Sequence, residues 1–103
     1  MTKKRSLNPE TALWARELWD KALEGGGIEL TYESMKQAQR VRFSLYTART
    51  IDREQNKTVY GEGDVMYGRS LWDSLMVTLE GPLKNILRIA PEKAIAATSV
   101  REL

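Results

Sequence analysis

Three consecutive glycines, Gly25-Gly26-Gly27, close the first amphipathic stretch of the chain and constrain everything after it. Asn8 is a good N-cap, Pro9 suits the first helical position, and Glu10 places an acid where the helix dipole favours one. At roughly 100° per residue, Ala12, Trp14, Ala15, Leu18, Trp19, Ala22 and Leu23 share one broad face, and Arg16, Glu17, Asp20, Lys21 and Glu24 occupy the other. The glycines end this helix of Pro9–Glu24, since glycine takes the left-handed C-cap conformation readily. They follow a helix and lack a Gly-Lys-Ser/Thr ending, so they read as a helix stop and hinge rather than a phosphate-binding loop.

Beyond the glycines, Ile28-Glu29-Leu30-Thr31-Tyr32 alternates apolar and polar residues as a half-buried strand does. A second helix is expected over Glu33–Glu54, started by Ser34 with Gln37 three residues on. Ala38, Val41, Leu45 and Ala48 form its narrow apolar stripe, whose small residues favour close packing on the first helix. Asn56 marks the expected stop. Residues 55–70 contain Gly61, Gly63 and Gly68 and read as irregular or hairpin-like, with Thr58–Tyr60 facing Val65–Tyr67.

Residues 70–90 support two readings. As helix, Ser70 and Asp73 make a capping box and Leu71, Trp72, Leu75, Met76 and Leu79 share a face, ended by Gly81-Pro82. As strands, Leu75, Val77 and Leu79 alternate with Met76, Thr78 and Glu80, residues 81–85 turn, and residues 86–90 return. The apolar runs are short and a strand at 28–32 needs partners, which favours the hairpin. A final helix from Pro91 through Ala94, Ala96, Ala97 and Val100 then closes the chain. The expected fold is α+β, two amphipathic helices packed on a small antiparallel sheet, with a small all-α bundle as the alternative. Residues 1–7 read as a basic, flexible arm, and residues 8–103 as one domain.

Composition narrows the chemistry. The 103 residues include no Cys and no His, which removes disulfides, thiolate nucleophiles, His-based triads and the commonest metal ligands. Glu62 and Asp64, with Asp73 nearby, lack the spacing of a multi-oxygen cation loop. The expectation is a non-enzymatic protein without metal or cofactor. No apolar run approaches the roughly 20 residues needed to cross a bilayer, and the polar N-terminus resembles no secretory signal, so a cytoplasmic location and no membrane partner are expected.

The net charge of +2 is too small to imply a polyanionic partner, but its distribution is informative. On the second helix, Gln39, Arg42, Tyr46, Arg49 and Arg53 recur at steps of three and four and therefore share a face. Lys36, Arg40 and Phe43 flank it. Arginine and glutamine hold phosphates or read base edges, and tyrosine stacks on unpaired bases, so this face is the candidate for DNA or RNA. The Lys3-Lys4-Arg5 arm would add nonspecific phosphate contacts.

The same residues also read as ordinary surface, with arginine stems lying over apolar groups and Glu29, Glu33, Asp52 and Glu54 as their ion partners. Exposure of Met35, Phe43 or Trp72 would instead mark a protein-binding or homo-oligomeric surface. Trp72, beside a turn, is expected to be the most exposed tryptophan, and Trp14 and Trp19 to anchor the core. Two functions are therefore expected: a small nucleic-acid-binding or regulatory accessory protein, or alternatively a protein-interaction module such as an inhibitor, adaptor or assembly subunit.

Overall fold

A computed structural model describes residues 7–92. The Lys3-Lys4-Arg5 arm and the expected helix after Pro91 fall outside the described residues. Within them run α1 (Pro9–Gly25), β1 (Ile28–Thr31), α2 (Met35–Val59), a single 3-10 turn (Leu71–Ser74), β2 (Leu75–Glu80) and β3 (Ile86–Pro91). The three strands form one antiparallel sheet in the order β1-β3-β2, and this α+β arrangement replaces the all-α alternative. No helix among the described residues is long and apolar enough to cross a membrane.

Local chemistry explains most of the element boundaries. Asn8 Oδ1 accepts the Glu10 N–H at 2.8 Å and starts α1. Gly26 ends it in the left-handed conformation, with φ 77°. Gly27 is needed for a different reason. At φ 136°, a conformation that strains any residue with a side chain, a Cβ there would also lie 3.2 Å from both the Ala90 Cβ and the Ile89 carbonyl oxygen, closer than ordinary van der Waals contact with β3. The glycine stop thus also lets β1 start tight against the central strand. The buried face of α1 is narrower than its apolar face, with Ala15, Trp19 and Ala22 buried and Leu23 exposed.

Ser34 Oγ accepts the Gln37 N–H at 3.2 Å, and Gln37 Oε1 reaches back to the Glu33 N–H at 3.0 Å, one residue before the cap. This sets the start of α2 at Met35 rather than Glu33. The helix also passes the expected stop and continues to Val59. Asn56 does not end it, because its side-chain amide donates to the Arg69 carbonyl and ties the following loop back onto the helix. The expected pairing of Thr58–Tyr60 with Val65–Tyr67 does not form. The first segment is helix end, and residues 61–69 make successive tight turns: Asp64 N–H to Gly61, Tyr67 N–H to Asp64 and Arg69 N–H to Met66. Asp64 Oδ1 holds the Met66 N–H at 2.8 Å, the local turn bond that Asp makes readily.

The capping box at Ser70 and Asp73 does form, with the Ser70 N–H donating to Asp73 Oδ2 at 3.0 Å. It caps only the 3-10 turn, which hands over directly to β2. The β2–β3 hairpin pairs Leu75 with Pro91 through Glu80 with Ile86, around residues 81–85. Register places Ile28 and Leu30, Leu87 and Ile89, and Leu75, Val77 and Leu79 on one face of the sheet. Both helices cover that face. Trp19 is fully buried at the centre, donating its indole N–H to the Leu45 carbonyl at 2.8 Å. Leu7, inside the range expected to be arm, packs half-buried on this core.

Trp72 corrects an expectation. It is 4% exposed, stacks on Trp19 with ring centroids 5.8 Å apart and planes 6° from parallel, and donates its indole N–H to Asp20 at 2.9 Å. A buried tryptophan so satisfied is a core anchor, not a contact surface.

Candidate nucleic-acid interface

The basic face of α2 divides into two halves with different surroundings. Tyr46, Arg49 and Arg53 lie where the helix runs along the outer edge of β2. In an antiparallel pair, backbone groups point alternately toward and away from the partner strand. Both outward groups of Val77 meet one side chain. The Tyr46 hydroxyl lies 3.3 Å from each, accepting the Val77 N–H and donating to its carbonyl. One turn on, Arg49 Nη1 donates to the Leu75 carbonyl at 3.1 Å and reaches the Trp72 carbonyl at 3.5 Å.

Arg49 is therefore committed to the fold. Its guanidinium stands 5.2 Å from the Trp19 ring centroid and 4.8 Å from that of Tyr46. The Arg16 guanidinium lies over the Trp72 ring, 5.2 Å from its centroid. Burial lowers the Arg49 pKa, and the neighbouring Arg53 charge adds to that, while Tyr46 and Asp73 oppose it. Arginine tolerates this because its intrinsic pKa leaves it charged.

Arg53 binds Asp73, with Nε and Nη2 at 2.8 and 2.6 Å from Oδ1. Burial by itself would raise the Asp73 pKa, but the Ser70 N–H, Arg53 and Arg49 outweigh it and hold the carboxyl below its ordinary value. The arginines' partner is thus Asp73, not the acids nearer in sequence: Asp52 pairs with Arg16 at 3.8 Å and Glu54 with Lys57 at 3.5 Å.

The N-terminal half of α2 has no such commitments. Lys36, Gln39 and Arg40 are exposed and Arg42 is half-buried. None of the three cations enters an ion pair among the described residues. From Met35 to Ile51 the helix carries Lys36, Arg40, Arg42 and Arg49 and no Asp or Glu. Phe43 stands at the middle of this interval, 70% exposed, and Met35 is 45% exposed at its start. The helical repeat turns Phe43 roughly opposite Leu45 and hence away from the core. Two open grooves flank its ring. One is lined by Gln39, Arg42, Phe43, Tyr46 and Thr47; the other by Lys36, Gln39, Arg40, Phe43 and Ser44.

Of the face expected from helical spacing, Gln39 is exposed, whereas Arg42, Tyr46, Arg49 and Arg53 are half-buried, and Phe43, expected only to flank it, is exposed. The available signal was the acid-free interval from Met35 to Ile51, with an aromatic residue at its middle. Glu62 and Asp64 remain in the turn region, and Asp73 is occupied by Ser70 and Arg53. Comparison with known protein families, curated proteins and solved structures gives no match.

Proposed function

We propose that the chain is a small, non-enzymatic nucleic-acid-binding or regulatory accessory protein of the cytoplasm, and that its contact face is the N-terminal half of α2. One observation supports this reading above others: Lys36, Arg40 and Arg42 lie beside an exposed aromatic ring and pair with no acid among the described residues. The cations hold phosphates, and Gln39 between them offers both a donor and an acceptor to a phosphate or a base edge. Arg49 and Arg53 drop out of the footprint because each already holds a partner within the fold, the Leu75 carbonyl and the Asp73 carboxylate.

Exposed Met35 and Phe43 also suit a protein partner, the second reading. A homodimer through this face is disfavoured, because a two-fold axis would oppose the same unneutralised cations. Anisotropy titrations with labelled DNA and RNA at two salt concentrations test the proposal. Three phosphate contacts give a log–log salt slope of about −2 on a single strand and about −2.7 on a duplex. Arg40→Ala with Arg42→Ala should weaken binding and flatten the slope, whereas Arg53→Gln should alter stability and leave the slope unchanged. No binding at low salt, or binding indifferent to the Arg40 and Arg42 substitutions, overturns it.

A further inference from the structure

Building on the nucleic-acid reading above, we infer that this face takes single-stranded rather than duplex nucleic acid, with one unpaired base stacked on Phe43. The ring supplies the argument. It follows Arg40 and Arg42 at the C-terminal end of the cationic stretch, and 70% of the residue is open to solvent. A duplex keeps its base faces stacked inside and offers such a ring no π surface, only the edge contact of a thymine methyl group. A single strand offers an unpaired base face to an aromatic ring and its phosphates to the cations alongside, and the two contacts form together.

The grooves provide a path. They lie on either side of Phe43 and share it and Gln39 as common wall, with Arg42 in one groove and Lys36 and Arg40 in the other. A strand crossing the helix can thus meet cations before and after the stacked base. The remainder of α2 does not compete for the same ligand. From Ser44 to Arg53 every residue is buried or half-buried, which separates the cationic surface ending at Phe43 from the exposed Glu54, Gln55 and Lys57 to Val59 at the helix end. Nine residues, Met35–Phe43, span about 13 Å of helix, a short platform suited to a few nucleotides and far smaller than a duplex-binding face.

The test compares binding of the full chain to fluorescein-labelled 12-nucleotide oligothymidylate, 12-nucleotide oligouridylate and a 12-base-pair duplex at low salt. Single strands should bind at least tenfold more tightly than the duplex. Phe43→Ala should weaken single-strand binding roughly 5- to 150-fold, the loss of one base stack, while changing duplex binding less than twofold. Because Phe43 is exposed, that variant should melt like the parent. Phe43→Trp should keep single-strand affinity, and its emission should be quenched on binding. Stronger duplex binding, or single-strand binding untouched by Phe43→Ala yet weakened by Arg42→Ala, overturns the inference and leaves the broader nucleic-acid reading standing. No binding of any oligonucleotide removes both. Self-association abolished by Phe43→Ala, with no oligonucleotide bound, assigns the face to protein contact and also removes both.

Discussion

Arg42 and Arg49 are two turns apart on one helix face, and their identical side chains do different work. Arg49 is 15% exposed, spans two aromatic rings and donates to a strand edge. Arg42 reaches no acid among the described residues and lines an open groove. Arg49→Leu should destabilise the protein by about 2–3 kcal/mol, through loss of the guanidinium stacking and of the Leu75 carbonyl's donor. Urea unfolding measures this. Arg49→Lys should recover less than half, because an ammonium lacks the planar stacking surface. Helical spacing made the shared face legible. It did not separate the two arginines, since Leu75, the residue that decides the matter, lies 26 positions along the chain from Arg49.

Among the described residues, the sheet has two edge strands, β1 and β2, with different protection. β1 is four residues long and carries the exposed Glu29, and a short charged edge resists pairing with another chain. β2 is six residues long and apolar at Leu75, Val77 and Leu79. Its protection comes from α2, through Tyr46 and Arg49. Tyr46→Phe should therefore cost about 1–3 kcal/mol by leaving the Val77 N–H and carbonyl unpaired. It should also raise concentration-dependent self-association, read by light scattering, as the edge opens. An unchanged melting midpoint with no added association would show that the hydroxyl does not guard this edge.

The first helix and the hairpin were readable from sequence because caps, glycines and period-two alternation act locally. The reach of α2 to Val59 was not. It depends on the Asn56 amide meeting the Arg69 carbonyl across the turn, a contact outside any local pattern. Trp72 was misjudged for the same reason. Proximity to a turn says nothing about Trp19 and Asp20 waiting on α1.

Across the molecule, Asp73 joins the 3-10 turn to α2 and should shape acid stability. Its folded pKa is lowered from the ordinary 3.8. The stabilisation it contributes is therefore complete above that value and is lost as pH falls through the lower folded value. Below about pH 4 the parent's melting temperature should fall more steeply than that of Asp73→Asn. At neutral pH the variant should be less stable by about 1–2 kcal/mol, from the weakened cap and ion pair. Parallel acid limbs for the two proteins would refute this role. The α+β class was legible because the 28–32 segment demanded strand partners. The placement of the cationic face was not, because it depends on which part of α2 the β2 edge covers.

The boundary along α2 between Phe43 and Tyr46 also bears on how this chain can change over evolutionary time. Residues that hold the fold and residues that would meet a ligand sit on successive turns of one rod, and meet where Tyr46 walls the groove beside Phe43. Away from the Phe43–Tyr46 pair, substitution effects on stability and on binding should add rather than interact. Selection can retune Lys36, Gln39 and Arg40 for a new ligand without revising the edge seal, and a weakened seal can be repaired without disturbing recognition.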